Sequence, residues 1–271
     1  MIRCVGEAGH PHLAHAEPLQ AGDSLLQGHG SLRRDELMGL GELMRFVEMI
    51  EDGELREKVR AFLEERRVSL TGDPIPLEES PGGRSHHHAY PGGLLQHTIA
   101  TVRLALSLCD LVEEVYGGEV DRDVVIAACV LHDVMKAPCY AEREDGSYTF
   151  SPLGERLDHV SLVVAELAQR GFPLDVIHAV AAHHAEHGPI SPRTLEALIV
   201  HIADLADSRL NGEVLRAARF LLREATGVEP PPKLSHEHAF KIVVIKAREG
   251  WDGVRRYAEE AGLVREAQEG A

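Results

Sequence analysis

The segment VIAACVLHDVMKAP, residues 125–138, is an apolar helical run that ends in His132-Asp133, with Lys136 one turn beyond the histidine. A helix so rich in Val, Ile and Ala has to be buried, and a carboxylate buried beside it without compensation costs several kcal/mol. The pair is either a satisfied polar contact at a helix end or a set of ligands facing a cation. Four other helical segments repeat the pattern. GGLLQHTIATVRLALSL (92–108) places His97 at the start of an otherwise apolar face, and ERLDHVSLVVAEL (155–167) places His159 in a first turn. DVIHAVAAHHAEHG (175–188) carries His183 and His184 near its end, and ALIVHIADLADSRL (197–210) embeds Asp204 in an apolar run. Singly, each reads as a core histidine or a capped carboxylate. Together they make a shared metal centre the economical reading. Nitrogen and oxygen donors suit Fe, Mn, Co, Ni or Zn. The four cysteines show no CxxC spacing, which argues against a structural zinc finger.

Helical periodicity extends over most of the chain, so the expected fold class is all-α. Residues 1–30 are rich in Gly, His and Pro and read as a poorly ordered leader. Residues 31–70 read as a helical hairpin turning at Gly53. The stretch TGDPIPLEESPGGRSHHHAYPGG (71–93) has too much Pro and Gly for one regular element. Asp121 is expected to cap a helix over 122–136 that Pro138 ends. Asp145-Gly146 is the one hairpin signal. Further helices are expected near 153–170, 173–187 and 192–210, the last capped at Ser191-Pro192. Beyond them come 212–226, 235–248 and 252–262. This gives a core over 71–211 and a C-terminal helical extension over 212–271.

With 44 acidic against 28 basic side chains the formal charge is −16, so the chain is not steered toward a polyanion. No apolar run reaches the roughly 18–20 residues of a membrane span, and no signal-peptide layout opens the sequence. A cytoplasmic protein without disulfides is the expectation.

The ordered series His97, His132-Asp133, His159, His183-His184 and Asp204, with Lys136 three after the aspartate, resembles the HD phosphohydrolase superfamily in its two-metal form. The likeness covers roughly residues 86–210. It implies a helical bundle in which His97, His132, Asp133 and Asp204 hold one metal, and Asp133 bridges to a second held by His159 and His183. It implies two divalent cations, Fe2+ or Mn2+ first, with Co2+, Ni2+ or Zn2+ as alternatives. Such cations polarise a phosphoryl group and generate hydroxide near neutral pH. Adjacent helical residues point about 100° apart, so one of His183 and His184 binds metal and the other faces substrate. His187 competes as a ligand. Asp133, Lys136 and His184 are assigned to catalysis, and His87, His88, Lys136 and Arg209 to substrate contacts. His201 is expected to donate to a ligand carboxylate, and His178 to be structural.

HHHAYPGGLLQHT (86–98) looks like the matching stretch of bacterial 3′→5′ exoribonucleases that carry an HD domain. With EDGELREKVRAFLEER (51–66) and IPLEESP (75–81), the fuller pattern resembles a stand-alone archaeal HD group, one of whose activities opens dihydroneopterin 2′,3′-cyclic phosphate. The expected function is hydrolysis of a phosphoester on a small nucleotide-like substrate, such as a 2′,3′-cyclic phosphate. Trimming of short single-stranded RNA is the alternative. A di-iron oxygenase on the same scaffold and an HD-type signalling domain rank lower, and homo-oligomerisation stays open.

Overall fold

The structure, a computed structural model, describes residues 39–188 and 190–263. The leader expected over residues 1–30 therefore lies outside the described residues. Helices α1 (Leu40–Glu48) and α2 (Gly53–Glu65) form the expected hairpin. Its turn lies just before Gly53, which opens α2 behind the capping side chain of Asp52. Asp123 ties the turn to the body of the protein by accepting from the Glu51 and Asp52 amides at 2.8 and 2.7 Å.

After the irregular Pro/Gly segment, α3 (Gly93–Tyr116) begins behind Gly92 and buries His97. Helix α4 (Arg122–Leu131) is capped by Asp121, and every residue from Val124 to Leu131 is buried. A helix apolar on all sides belongs in the centre of a core. It stops at Leu131, earlier than expected. Pro138 does not end it but sits in a separate single turn, α5 (Lys136–Cys139), where a first-turn proline forfeits no helical hydrogen bond. Strands β1 (Tyr140–Glu142) and β2 (Tyr148–Phe150) pair antiparallel around Asp145-Gly146.

Helix α6 (His159–Gln169) starts later than expected because Asp158 caps it, accepting from Ser161 N at 2.9 Å. Helix α7 (Leu174–Ala182) ends at His183, and Ala185–His187 form a 3₁₀ turn. Helix α8 (Leu195–Thr226) is a single element of 32 residues, about 48 Å long, capped by Thr194 rather than Ser191. The expected break after residue 210 is absent. Helix α9 (His236–Glu260) kinks at Gly250, so its halves match the two tail helices read from the sequence.

One seam of α8 positions the rest. Ala197, Val200, Asp204, Asp207, Asn211, Leu215, Ala218, Leu222 and Ala225 are buried at three- and four-residue steps. The N-terminal third packs into the main apolar core with α1–α4, α6 and α7. The C-terminal third packs on α9 in a second cluster with Ile242 and Val254. The polar middle, Asp204 to Asn211, lies between them. Among the described residues no helix is long and apolar enough to cross a membrane.

Candidate metal centre

Helix ends deliver most of the polar side chains to one place. His97 comes from the first turns of α3, His132 and Asp133 from the end of α4, and His159 from the start of α6. His183 and His184 come from the end of α7, and Asp204 from the middle of α8. His97, His132 and His183 have no exposed surface, and Asp133 is 1% exposed.

Two groups of ligand-type atoms share Asp133, and a third, His87, His88 and His97, adjoins the first through His97. In the first, His97 Nε2 lies 3.1 Å from Asp204 Oδ1 and 3.2 Å from Asp133 Oδ2. It also lies 3.2 Å from His132 Nε2. In the second, Asp133 Oδ1 stands 3.3 Å from His159 Nε2 and 3.6 Å from His183 Nε2, and His184 joins the group. Within each group the atoms lie no more than 4.8 Å apart.

The imidazoles are held from behind. His97 Nδ1 donates to Asp207 at 2.7 Å, His132 Nδ1 to the Cys129 carbonyl at 2.8 Å and His183 Nδ1 to the Val180 carbonyl at 2.6 Å. Each partner is an acceptor, so Nδ1 carries the proton and Nε2 points inward. Asp133 Oδ1 and the Nε2 atoms of His159 and His183 are buried without a hydrogen-bond partner. Buried polar atoms are ordinarily satisfied. Lone pairs converging on a carboxylate with no proton between them fit divalent cations.

Charge supports the same arrangement. Burial alone would raise the Asp133 carboxyl, but Lys136 and His132 outweigh it and hold it well below the usual carboxylate range. Lys136 Nζ lies 2.5 Å from Asp133 Oδ2 and forms a buried ion pair with it. Burial works against Asp204 too, yet its hydrogen bond to His97 keeps it low. Burial opposes a charge on His97, but Asp133, Asp204 and Asp207 override it and raise its pKa well above the ordinary histidine value, so without a cation a proton takes the place on Nε2 that a metal would occupy. Burial lowers His183 well below that value, His184 to about 4 and His87 to about 3, so these three are neutral at pH 7.

A family model described as HD domain matches residues 94–208. A dihydroneopterin 2′,3′-cyclic phosphate phosphodiesterase of Methanocaldococcus jannaschii is 41% identical over 211 residues, 77% of this chain and 84% of that protein. The chain belongs to the HD-domain family. As an HD-domain phosphohydrolase it also matches 3′-5′ exoribonucleases named YhaM. The one from Bacillus subtilis is 31% identical over 48% of this chain and 43% of its own length. That from Shouchella clausii is 25% identical over 64% and 53%. The chain thus spans about half of those exoribonucleases. No solved structure matches it.

The HD-domain fold brings the remaining candidates to different places. His88 is buried, with Nε2 3.5 Å from Asp207 Oδ2, and its amide donates to Asn211 Oδ1 at 2.7 Å. His87 is half-buried, its ring centroid 5.6 Å from that of His97. Arg209 is exposed and lines a cavity with His87. His187 is exposed in the 3₁₀ turn and belongs to neither ligand group. His201 does not reach a ligand carboxylate: its Nδ1 donates to the His183 carbonyl at 2.7 Å. His178 accepts from the Arg193 amide at 3.0 Å.

Sequence reasoning missed Asp207 and Asn211. Both lie on the buried seam of α8, and continuing the three- and four-residue steps from Val200 and Asp204 would have found them. Asn211 also anchors the histidine loop. Its Nδ2 donates to the Tyr90 hydroxyl at 3.1 Å, and that hydroxyl donates to Gln96 at 2.5 Å.

Proposed function

We propose that this chain is a two-metal phosphodiesterase that opens a 2′,3′-cyclic phosphate on a small nucleotide-like substrate. His97, His132, Asp133 and Asp204 hold one divalent cation; Asp133, His159 and His183 hold the other. Asp133 carries this reading: it is buried between two sets of imidazoles that both face its carboxylate, and only Oδ2 has a cationic partner, Lys136. The donor set of imidazoles and two carboxylates, with no thiolate, fits Fe2+, Mn2+, Co2+, Ni2+ or Zn2+, and the family resemblance puts Fe2+ or Mn2+ first. The substrate class rests on the activity of the Methanocaldococcus jannaschii relative, 84% of whose length this chain matches.

When bound, the cations supply Lewis acidity and lower the pKa of water at the site. The protein's own side chains do the rest. Lys136, held charged against Asp133, balances the phosphate's negative charge and orients one of its oxygens. His87, neutral at pH 7, donates an N–H to a phosphate oxygen at the mouth of the site. His184 is neutral as well, so it completes the second group as an uncharged donor rather than as a standing acid. Water adds across one P–O bond to ribose, giving a phosphomonoester and a free hydroxyl.

Asp207 sets His97 for its task. Changing Asp207→Asn keeps a hydrogen-bond acceptor on Nδ1 but removes the charge that strengthens the imidazole. Metal affinity should fall by about 10–100-fold, with turnover recovered at high Mn2+. A metal titration of activity checks this, and an unshifted titration curve would show that Asp207 plays no such part.

Purified protein reconstituted with Fe2+ or Mn2+ should be offered 2′,3′-cyclic phosphates and short RNA in parallel. Metal-dependent release of phosphomonoester from the cyclic substrates, with slow RNA loss, is the expected result. RNA trimming with indifference to cyclic phosphates would overturn it in favour of exoribonuclease activity.

A further inference from the structure

The formal charge of −16 makes any concentration of cations in this protein conspicuous. One lies along α8, just beyond the metal-centre residues. Arg209, Arg216, Arg219 and Arg223 fall within one sector of about 80° at 100° per residue, and all four line a cavity of about 650 Å³. A pocket of that size suits a nucleotide-sized molecule. Its far wall is the Pro230-Pro231-Pro232 segment, and Phe220, 49% exposed, supplies an aromatic face.

The cavity adjoins the metal-centre residues. His87 lines it, as does Ser208, whose hydroxyl is 3.3 Å from Asp204 Oδ1. Its cations are incompletely matched. Arg216 pairs with Glu213, and Arg223 lies 3.7 Å from Glu229. Among the described residues, Arg209 and Arg219 have no carboxylate partner. Arg219 donates from Nη2 to the Pro232 carbonyl at 2.8 Å, but its Nε is buried with no acceptor. An uncompensated, part-buried guanidinium is unfavourable unless an anion meets it, and its planar fork matches a phosphate.

We propose that this arginine-lined cavity is a second phosphate subsite, which takes a phosphomonoester dianion on a nucleotide-sized ligand while the heterocycle packs on Phe220 and the proline wall. Arg209 begins about 7.5 Å along the helix from Asp204, so one molecule can span both places. The ligand is then a substrate with a second phosphate remote from the one that is cleaved. This substrate assignment rests on the proposed function; binding of the dianion does not.

The test uses the metal-loaded enzyme and a nucleoside 2′,3′-cyclic phosphate, with and without a 5′-phosphate. The 5′-phosphate should lower KM at least tenfold in the wild type. Arg219→Gln and, separately, Arg223→Gln should each erase most of that gain, with kcat/KM on the 5′-hydroxyl form changed less than twofold. The Arg223 variant keeps the test open should loss of the Pro232 contact harm folding. In parallel, calorimetry with a nucleoside 5′-monophosphate reads binding without turnover and should show affinity at least fivefold weaker in both variants. Arginine-dependent binding without turnover of either cyclic substrate would sink the proposed reaction and leave the subsite standing. Turnover with no 5′-phosphate preference, alongside arginine-dependent binding, would assign the dianion to a separate ligand. Equal binding by wild type and variants would overturn the subsite.

Discussion

Replacing Asp133 with alanine should empty both proposed cation positions together and reduce turnover by at least about 10³-fold. Asp133 Oδ2 faces His97 and His132, and Oδ1 faces His159 and His183, and among the described residues no other side chain contributes to both groups. Removing it leaves Asp204 as the one carboxylate among the ligand atoms, too little charge to hold two dications beside Lys136. The variant also leaves the Lys136 ammonium, 5% exposed, without its 2.5 Å partner. Breaking a buried ion pair from one side costs about 3–5 kcal/mol, so part of the loss could reflect unfolding. The double variant Asp133→Ala/Lys136→Met separates the two effects, because it removes the stranded charge and keeps similar bulk. Its thermal midpoint should recover toward wild type while its metal content and turnover do not. A folded double variant that retained turnover within tenfold of wild type would refute the shared centre.

The side chains that meet at Asp133 were legible because each breaks an apolar helical pattern. A helix such as Val124–Leu131, buried on every side, leaves no solvated face for a charged neighbour, so His132 and Asp133 at its end demanded a partner. The Asp145-Gly146 hairpin was legible for a different reason, the left-handed backbone at Gly146 that its turn requires. Asp207 was overlooked because a polar residue three positions beyond Asp204 resembles an ordinary solvent-facing one, although the three- and four-residue steps carry the same buried seam through Asn211.

The break expected between helices 192–210 and 212–226 falls at Asn211-Gly212, a pair of the kind that marks turns. Here the pair lies inside a continuous helix against the histidine loop, where a Cβ on Gly212 would make only ordinary contacts with the His86 carbonyl oxygen at 3.6 Å and the His87 Cβ at 3.7 Å. Pro138 misled in a similar way. The chain leaves the helix at His132, before proline has any say, and resumes in a turn whose first positions tolerate it. In both places a local signal was overruled by the need to bring the histidine loop and the α4 terminus to the same polar pocket.

Gly93→Ala should cost about 100-fold in turnover, although Gly93 touches neither ligand group. A Cβ at this first residue of α3 would lie 2.1 Å from the His88 carbonyl oxygen and 2.9 Å from its carbonyl carbon. Backbone atoms cannot swing aside as a side-chain tip would. The His88 turn is also fixed on its other side: its amide is held by Asn211, its carbonyl accepts from Gly82 N at 2.9 Å, and Tyr90 is held by Gln96 and Asn211. The start of α3 therefore has to shift, and His97, one turn along, shifts with it. A displacement near 1 Å at a reacting geometry is enough for a loss of roughly 10², and overpacking should remove about 1–3 kcal/mol of stability. Gly117→Ala provides the comparison at the other end of the same helix. Gly117 has φ 65° with nothing within 4 Å of a Cβ, so it should lose about 1 kcal/mol to left-handed strain and keep full turnover. Thermal melts paired with steady-state rates on both variants check this. Equal activities for the two would mean that the Gly93–His88 approach does not set the position of His97.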